Sequence, residues 1–130
     1  MVLAGRKNSG RAYQWYRRAA QAGLPRAQNA LGRLLMRGLG TPANPDRGAG
    51  WVRQAAEQGY PPAQFNLGFM HARGFGVGQQ AVAAANWYRR AAERGHARAQ
   101  FNLAGRFMNG DGVPRDPIQA YKWLLLAEVR

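Results

Sequence analysis

Cysteine is absent from this chain of 130 residues, so it holds no disulfide, no thiolate metal site and no cysteine nucleophile. Serine and threonine are almost absent as well. Ser9 and Thr41 each stand alone near expected loops or ends, which leaves a hydrolase triad without support. Histidine occurs only at His71 and His96. Glu93 lies three positions before His96, but Gly95 sets a boundary between them and no third ligand stands at metal-site spacing. Acids are scarce: six, against 19 lysines and arginines. Asp111 and Asp116 share a glycine-rich loop that matches neither a calcium loop nor a paired acid/base site. There is no Gly-Lys-Ser/Thr phosphate loop. No apolar run approaches the roughly 18 residues of a membrane span. The opening MVLAGRKNSGR has no apolar core of a signal peptide, which favours a cytoplasmic location. Together these absences argue against an enzyme. No catalytic residue, metal ligand, cofactor or small-molecule substrate is expected.

What the chain does have is a period. Its four tryptophans, Trp15, Trp51, Trp87 and Trp123, stand 36 residues apart. A strict period of this length marks stacked supersecondary units. Three units superimpose without insertion. Ala-Ala recurs at Ala19-Ala20, Ala55-Ala56 and Ala91-Ala92, then glycine at Gly23, Gly59 and Gly95. Ala-Gln follows at Ala27-Gln28, Ala63-Gln64 and Ala99-Gln100, then leucine at Leu31, Leu67 and Leu103. A Gly-x-Gly step closes each unit at Gly38/Gly40, Gly74/Gly76 and Gly110/Gly112. Most of the 17 glycines therefore mark repeated boundaries rather than looseness.

The pattern Ala-x-x-Trp-Tyr-x-x-Ala-Ala-x-x-Gly, then Ala-Gln-x-x-Leu-Gly, then Gly-x-Gly-Val and Asp, resembles the Sel1-like repeat family, a branch of the tetratricopeptide-like helical solenoids. The resemblance runs over roughly residues 11–128. It implies an all-α fold: a right-handed superhelical solenoid of antiparallel helix pairs with about seven helices. On this reading residues 1–10 are a flexible lead-in and 11–130 form one repeat domain of three and a half pairs. The family's members act mostly as adaptors and scaffolds for protein complexes, many of them in bacteria. Its secreted, cysteine-rich branch is a poor match to a chain without cysteine.

Local signals place the helices. Asn8 or Ser9 can cap a first helix over Gly10 to Ala22, with Ala12, Trp15, Tyr16 and Ala19 on its apolar face. Further helices are expected over 26–37, 45–58, 62–73, 81–94, 97–108 and 117–128. Asn44-Pro45 and Asp116-Pro117 are coherent start signals, a capping side chain followed by a proline that needs no amide partner. Gln80 occupies the same position in the middle unit, so the fifth helix lacks its cap. Ala27 and Gly32 suggest close helix approach, whereas Gly48 and Gly50 weaken the third helix. The tryptophans, with Tyr16, Tyr88 and Tyr121, read as packing residues at the junctions of adjoining units. Two readings stand for Leu124-Leu125-Leu126: burial against the sixth helix, or a docking face.

The formal net charge of +13 favours acidic partners, nucleic acid or an anionic surface. Arg17, Arg53 and Arg89 recur at the repeat spacing and stack into a basic stripe, either an ordinary solvated face or one turned to a partner. Arg26 and Arg98, and Arg37 and Arg73, recur likewise. The resemblance implies that the second helix of each unit lines a concave side. Its candidate groove residues are Asn66, Phe69, Met70 and Arg73, flanked by Arg33, Arg37, Asn102 and Arg106. Apolar anchors with a basic rim suit a protein partner that has an acidic face and an apolar anchor. RNA is the alternative, through the arginine columns.

Overall fold

The computed structural model describes the backbone of residues 2–128 and the side chains of residues 10–128. The described chain is helical throughout, without strands. Its helices are α1 (Val2–Gln21), α2 (Pro25–Arg37), α3 (Pro45–Glu57), α4 (Pro61–Arg73), α5 (Ala81–Glu93), α6 (Ala97–Asn109) and α7 (Pro117–Glu128). From α2 onward the boundaries agree with expectation to within one residue. α1 is the exception: it is helical from Val2, so Asn8 and Ser9 lie within the helix rather than at its start. Among the described residues no helix is long and apolar enough to cross a membrane.

Repetition extends to the helix ends. α2, α4 and α6 stop at Gly38, Gly74 and Gly110, each in the left-handed conformation with φ of 70°, 68° and 66°. The next helix then starts from Asn44, Gln80 or Asp116. The Asn44 carboxamide accepts from the Arg47 amide and the Asp116 carboxylate from the Gln119 amide, both at 3.2 Å. Gln80 makes no such bond. Its backbone N–H still donates to the His71 carbonyl at 3.0 Å, as Asn44 donates to Leu35 and Asp116 to Phe107. The loop is thus pinned in all three units by main chain alone, and the side-chain cap is an addition.

Two kinds of joint alternate along the stack. α2, α4 and α6 pack more extensively on the helix that follows than on the one before. These close joints are made by small residues. A Cβ added at Gly32 would lie 2.5 Å from Val52 Cγ2 and 2.7 Å from the Gly48 carbonyl oxygen. One added at Gly48 would lie 2.6 Å from the Gly32 carbonyl oxygen. The expected close approach is therefore real, and Gly48, which seemed only a weakness of α3, is what permits it. The same positions in the later joints hold Gly68 with Ala84 and Ala104 with Ala120, all buried. One turn beyond, Val52 and Tyr88 are fully buried and Leu124 is half-buried.

The looser joints, α1 with α2, α3 with α4 and α5 with α6, are fastened differently. Buried Gln28, Gln64 and Gln100 each donate through Nε2 to a carbonyl of the preceding helix: Ala20 at 3.3 Å, Ala56 at 3.2 Å and Ala92 at 3.1 Å. Gln58 reinforces the first of them, donating to Gln28 Oε1 at 2.8 Å and to the Gly23 carbonyl at 3.1 Å.

Three of the tryptophans reach back into the unit before their own. Trp51 packs on the cluster of Ala20, Ala27, Leu31 and Leu35, Trp87 on that around Val52 and Leu67, and Trp123 on that around Tyr88 and Leu103. The junction role holds for these three. It fails for Trp15, which has no preceding unit among the described residues and is 68% exposed. Tyr88 is buried as expected, but Tyr16 and Tyr121 are exposed for the same kind of reason: each sits at an end of the described stack. The α1 face that packs is consequently Ala12, Tyr13, Ala19 and Ala20 rather than Trp15 and Tyr16. The leucine run divides, with Leu124 half-buried and Leu125 and Leu126 exposed.

Three substitutions read these features out as stability. Gly50 has open space where a Cβ would go. Gly50→Ala should therefore stabilise by up to about 1 kcal/mol through helix propensity, while Gly48→Ala should destabilise by about 1–2 kcal/mol as the overpacked joint gives way; urea unfolding reads the opposite signs. Gln80→Asp should supply the missing cap, adding about 1 kcal/mol and raising Tm by about 4 °C.

Candidate protein-binding groove

α2, α4 and α6 line one side of the stack. Between α2 and α4 lies a hollow of about 280 Å³, walled by Arg33, Met36 and Arg37 from α2 and by Phe65, Asn66, Phe69 and Met70 from α4. Phe75, just past α4, and Arg98, from α6, complete it. A shallower hollow lies between α6 and α7, where Arg98, Phe101, Asn102 and Leu124 meet. Arg98 borders both.

Helical spacing explains the convergence. Phe65 and Phe69 are one turn apart on α4, as Arg33 and Arg37 are on α2, so each pair projects from one face. Phe69 is 40% exposed and Phe75 41%. Phe65 is buried, stacked on His96 with ring centroids 4.9 Å apart. Arginines cover the rings: Arg73 lies 5.1 Å from the Phe69 centroid and Arg98 lies 4.9 Å from that of Phe65. Such contacts contribute about 0.5–1 kcal/mol at exposed sites and hold the guanidinium planes in place. Asn66 is anchored by donating to Asn29 Oδ1 at 3.0 Å.

The charge of this region is uncompensated. Among the described residues the ion pair is Arg106 with Asp111, at 2.7 Å. Arg33, Arg37 and Arg98 thus line the groove, and Arg73 lies over Phe69 at its edge, none of them ion-paired among the described residues.

The structure rearranges the expected site. It brings Arg33, Arg37, Asn66 and Phe69 together, with Arg73 laid on Phe69. Met70 does not point outward: it is 1% exposed, within the core cluster of α3 and α4, and forms the floor of the hollow. Its position one residue after Phe69 turns it about 100° around the helix, onto the same face as Leu67 and Ala63. Arg106 is not a free groove cation either. It is tied to Asp111 and lies 5.6 Å from the Tyr88 ring centroid. Asn102 and Arg106 both lie near the Tyr88 phenol, and Asn102 belongs to the second hollow. Arg17, Arg53 and Arg89 are exposed on α1, α3 and α5, outside the groove, and Arg89 is drawn over Phe107, 5.4 Å from its centroid. Sequence reading passed over Phe65, Phe75 and Arg98 as site residues, although the recurrence of Arg26 and Arg98 was a usable signal. His71 is buried, with Nδ1 3.1 Å from the Gly78 carbonyl oxygen, a packing residue as expected. The described residues contain no group of three or more His, Cys, Asp or Glu able to hold a metal ion.

The Sel1 repeat profile matches residues 3–24, 25–60, 61–96 and 97–128. The chain belongs to the Sel1 repeat family. The profile's units of 25–60, 61–96 and 97–128 each contain one close joint, pairing α2 with α3, α4 with α5 and α6 with α7. The crystal structure of a Sel1 repeat protein from Oxalobacter formigenes is 34% identical, with a TM-score of 0.87, over 93% of this chain and 49% of that one. A protective antigen present in uropathogenic Escherichia coli strains, displaying an SLR fold, is 36% identical with a TM-score of 0.87, over 90% of this chain and 25% of that one. This chain thus spans about half the length of the first and a quarter of the second. Cysteine rich protein B of Helicobacter pylori shares the fold at 20% identity and a TM-score of 0.74, over 95% of this chain and 89% of that one. No curated protein matches the chain. The Sel1 repeat is a non-enzymatic repeat scaffold, and proteins built from it are generally protein-interaction scaffolds.

Burial raises the Tyr88 phenol above its ordinary value of 10.0, against the opposing pull of Arg106, Asn102 and Arg73. The folded state therefore holds this proton more tightly than the unfolded chain. The associated stability is intact below the unfolded value and is lost as pH rises through the folded one. In an alkaline titration of tyrosinate absorbance, one of the five tyrosines should ionise later than the rest, and Tyr88→Phe should remove that late step.

Proposed function

We propose that this protein is an adaptor or assembly subunit whose groove between α2 and α4 takes an acidic segment of another protein carrying one large apolar side chain. The observation behind this reading is that Arg33, Arg37 and Arg98 line one hollow with the exposed rings of Phe69 and Phe75, that Arg73 lies over Phe69, and that none of the four is ion-paired among the described residues. An apolar side chain of the partner enters over Met70 and against the phenylalanines, where it leaves water. Carboxylates on either side meet guanidinium groups whose planar forks bind them in pairs of parallel hydrogen bonds. Arginines already held over rings lose little freedom on binding, so more of the interaction appears as affinity. The half-buried Asn66 amide stands ready for the partner's main chain.

The test uses a library of acidic peptides, each with a single aromatic or large aliphatic residue, read by fluorescence polarisation. Binding should weaken by at least about 30-fold in Phe69→Ala, as for a central anchor contributing about 2 kcal/mol. It should also weaken in Arg33→Glu with Arg37→Glu, with thermal unfolding unchanged in both variants. Peptide binding that ignores all these substitutions sinks the groove assignment. Binding of single-stranded RNA at low salt, lost in the same variants while no peptide binds, would give the groove to nucleic acid instead.

A further inference from the structure

α7 breaks a pattern that α3 and α5 keep. Those two helices present Arg53 with Gln54 and Arg89 with Arg90 to solvent. At the matching positions α7 has Leu125 and Leu126, 46% and 49% exposed. Nearer its start, Ile118 is 70% and Tyr121 62% exposed. Ile118, Tyr121 and Leu125 follow one another at three- and four-residue steps, so they form one stripe, and Leu126 borders it.

Extension of the solenoid does not account for this stripe. α3 and α5 each have a further helix packed after them, and Arg53, Arg89 and Val82 stay exposed all the same. A further helix would cover Tyr121, whose counterparts Ala49 and Ala85 are buried. Ile118, Leu125 and Leu126 would remain in water.

Charge narrows the choice of occupant. At a net charge of +13, two copies of this protein repel each other wherever their arginine faces meet. α7 carries only Lys122 and Glu128 and is neutral. It is also complementary to itself. Two α7 helices laid antiparallel about a two-fold axis between Tyr121 and Lys122 set Ile118 opposite Leu125 of the second copy, and the reverse. Tyr121 then meets Lys122 of the second copy. Glu128 falls at the start of that copy's helix, near Arg115, where the helix dipole is positive. Asp116, the acid at that end, is engaged by the Gln119 amide.

The geometry points to a two-fold homodimer formed through α7, on a surface separate from the groove. A helix of 12 residues is about 18 Å long. One such face buries less than the roughly 1,200 Å² of a stable interface, so the dimer is weak and concentration-dependent.

Sedimentation equilibrium of the full chain tests it. The mass should rise from 14.3 kDa towards twice that value as concentration increases, over roughly 10 μM to 1 mM. The rise should steepen with salt, which screens the cationic repulsion. Leu125→Arg with Leu126→Arg installs what Arg89 and Arg90 already are at those positions, so circular dichroism and thermal unfolding should be unchanged while the mass stays at 14.3 kDa. Because the chain has no cysteine of its own, I118C mixed with L125C should cross-link under oxidation several-fold more than either variant alone. The proposal is overturned by a monomeric wild type across the range, by a double-arginine variant that associates as the wild type does, or by cross-linking no better in the mixture. A monomeric wild type that sediments with phosphatidylglycerol vesicles, and does not after the Leu125→Arg change, would assign the face to a membrane and equally overturn the dimer.

Discussion

Everything in this structure depends on how closely two helix backbones approach at the joints of α2 with α3, α4 with α5 and α6 with α7. With Gly32 against Gly48 no side chain separates the helices, and the carbonyl of each occupies the place a methyl would need. The later joints admit slightly more bulk, Gly68 with Ala84 and Ala104 with Ala120. The residue one turn on changes with them, from Val52 to Tyr88 to Leu124. Small pairs at the crossing and larger wedges beside it keep three unequal sequences in one geometry. That geometry keeps α2, α4 and α6 neighbours along one side, where their arginines and phenylalanines form a continuous surface.

Much of this was legible in the residues. A 36-residue period without insertion gave the helix count and nearly every boundary, because caps, glycine stops and prolines recur in register. Gly32 announced the close approach and Gln80 the missing cap. What a period cannot report is whether a position has a neighbour. Trp15 and Trp51 occupy equivalent places, yet one is 68% exposed and the other is packed on the unit before it. Tyr121 and Ala85 differ in the same way at the other end. The groove was harder still to read. Met70 and Phe69 are adjacent and both apolar, and only the helix rotation sends one inward and the other out. Arg106 looked like its neighbours, but its loop brings Asp111 within 2.7 Å.

Charge and packing are kept apart in this chain. Buried polar groups are few and are mostly glutamine and asparagine bound to main chain or to one another. The arginines lie mostly outside, and several rest on aromatic rings, whereas one, Arg106, pairs with a carboxylate. A scaffold arranged in this way holds its shape with little help from ion pairs, so salt should reach its associations far more than its fold. The groove carries a preformed but unanswered charge, the condition under which a binding surface selects partners by complementarity.

The buried glutamines have a consequence for how such a stack grows. Gln28, Gln64 and Gln100 do not bond to a side chain of the helix before them but to its backbone carbonyls. A carbonyl is present whatever residue occupies the position. Each unit therefore brings its own fastener and asks nothing particular of the side chain it grips. Duplicating a unit inserts a working joint at once, with no matching substitution needed elsewhere, and the solvent faces are left free to diverge.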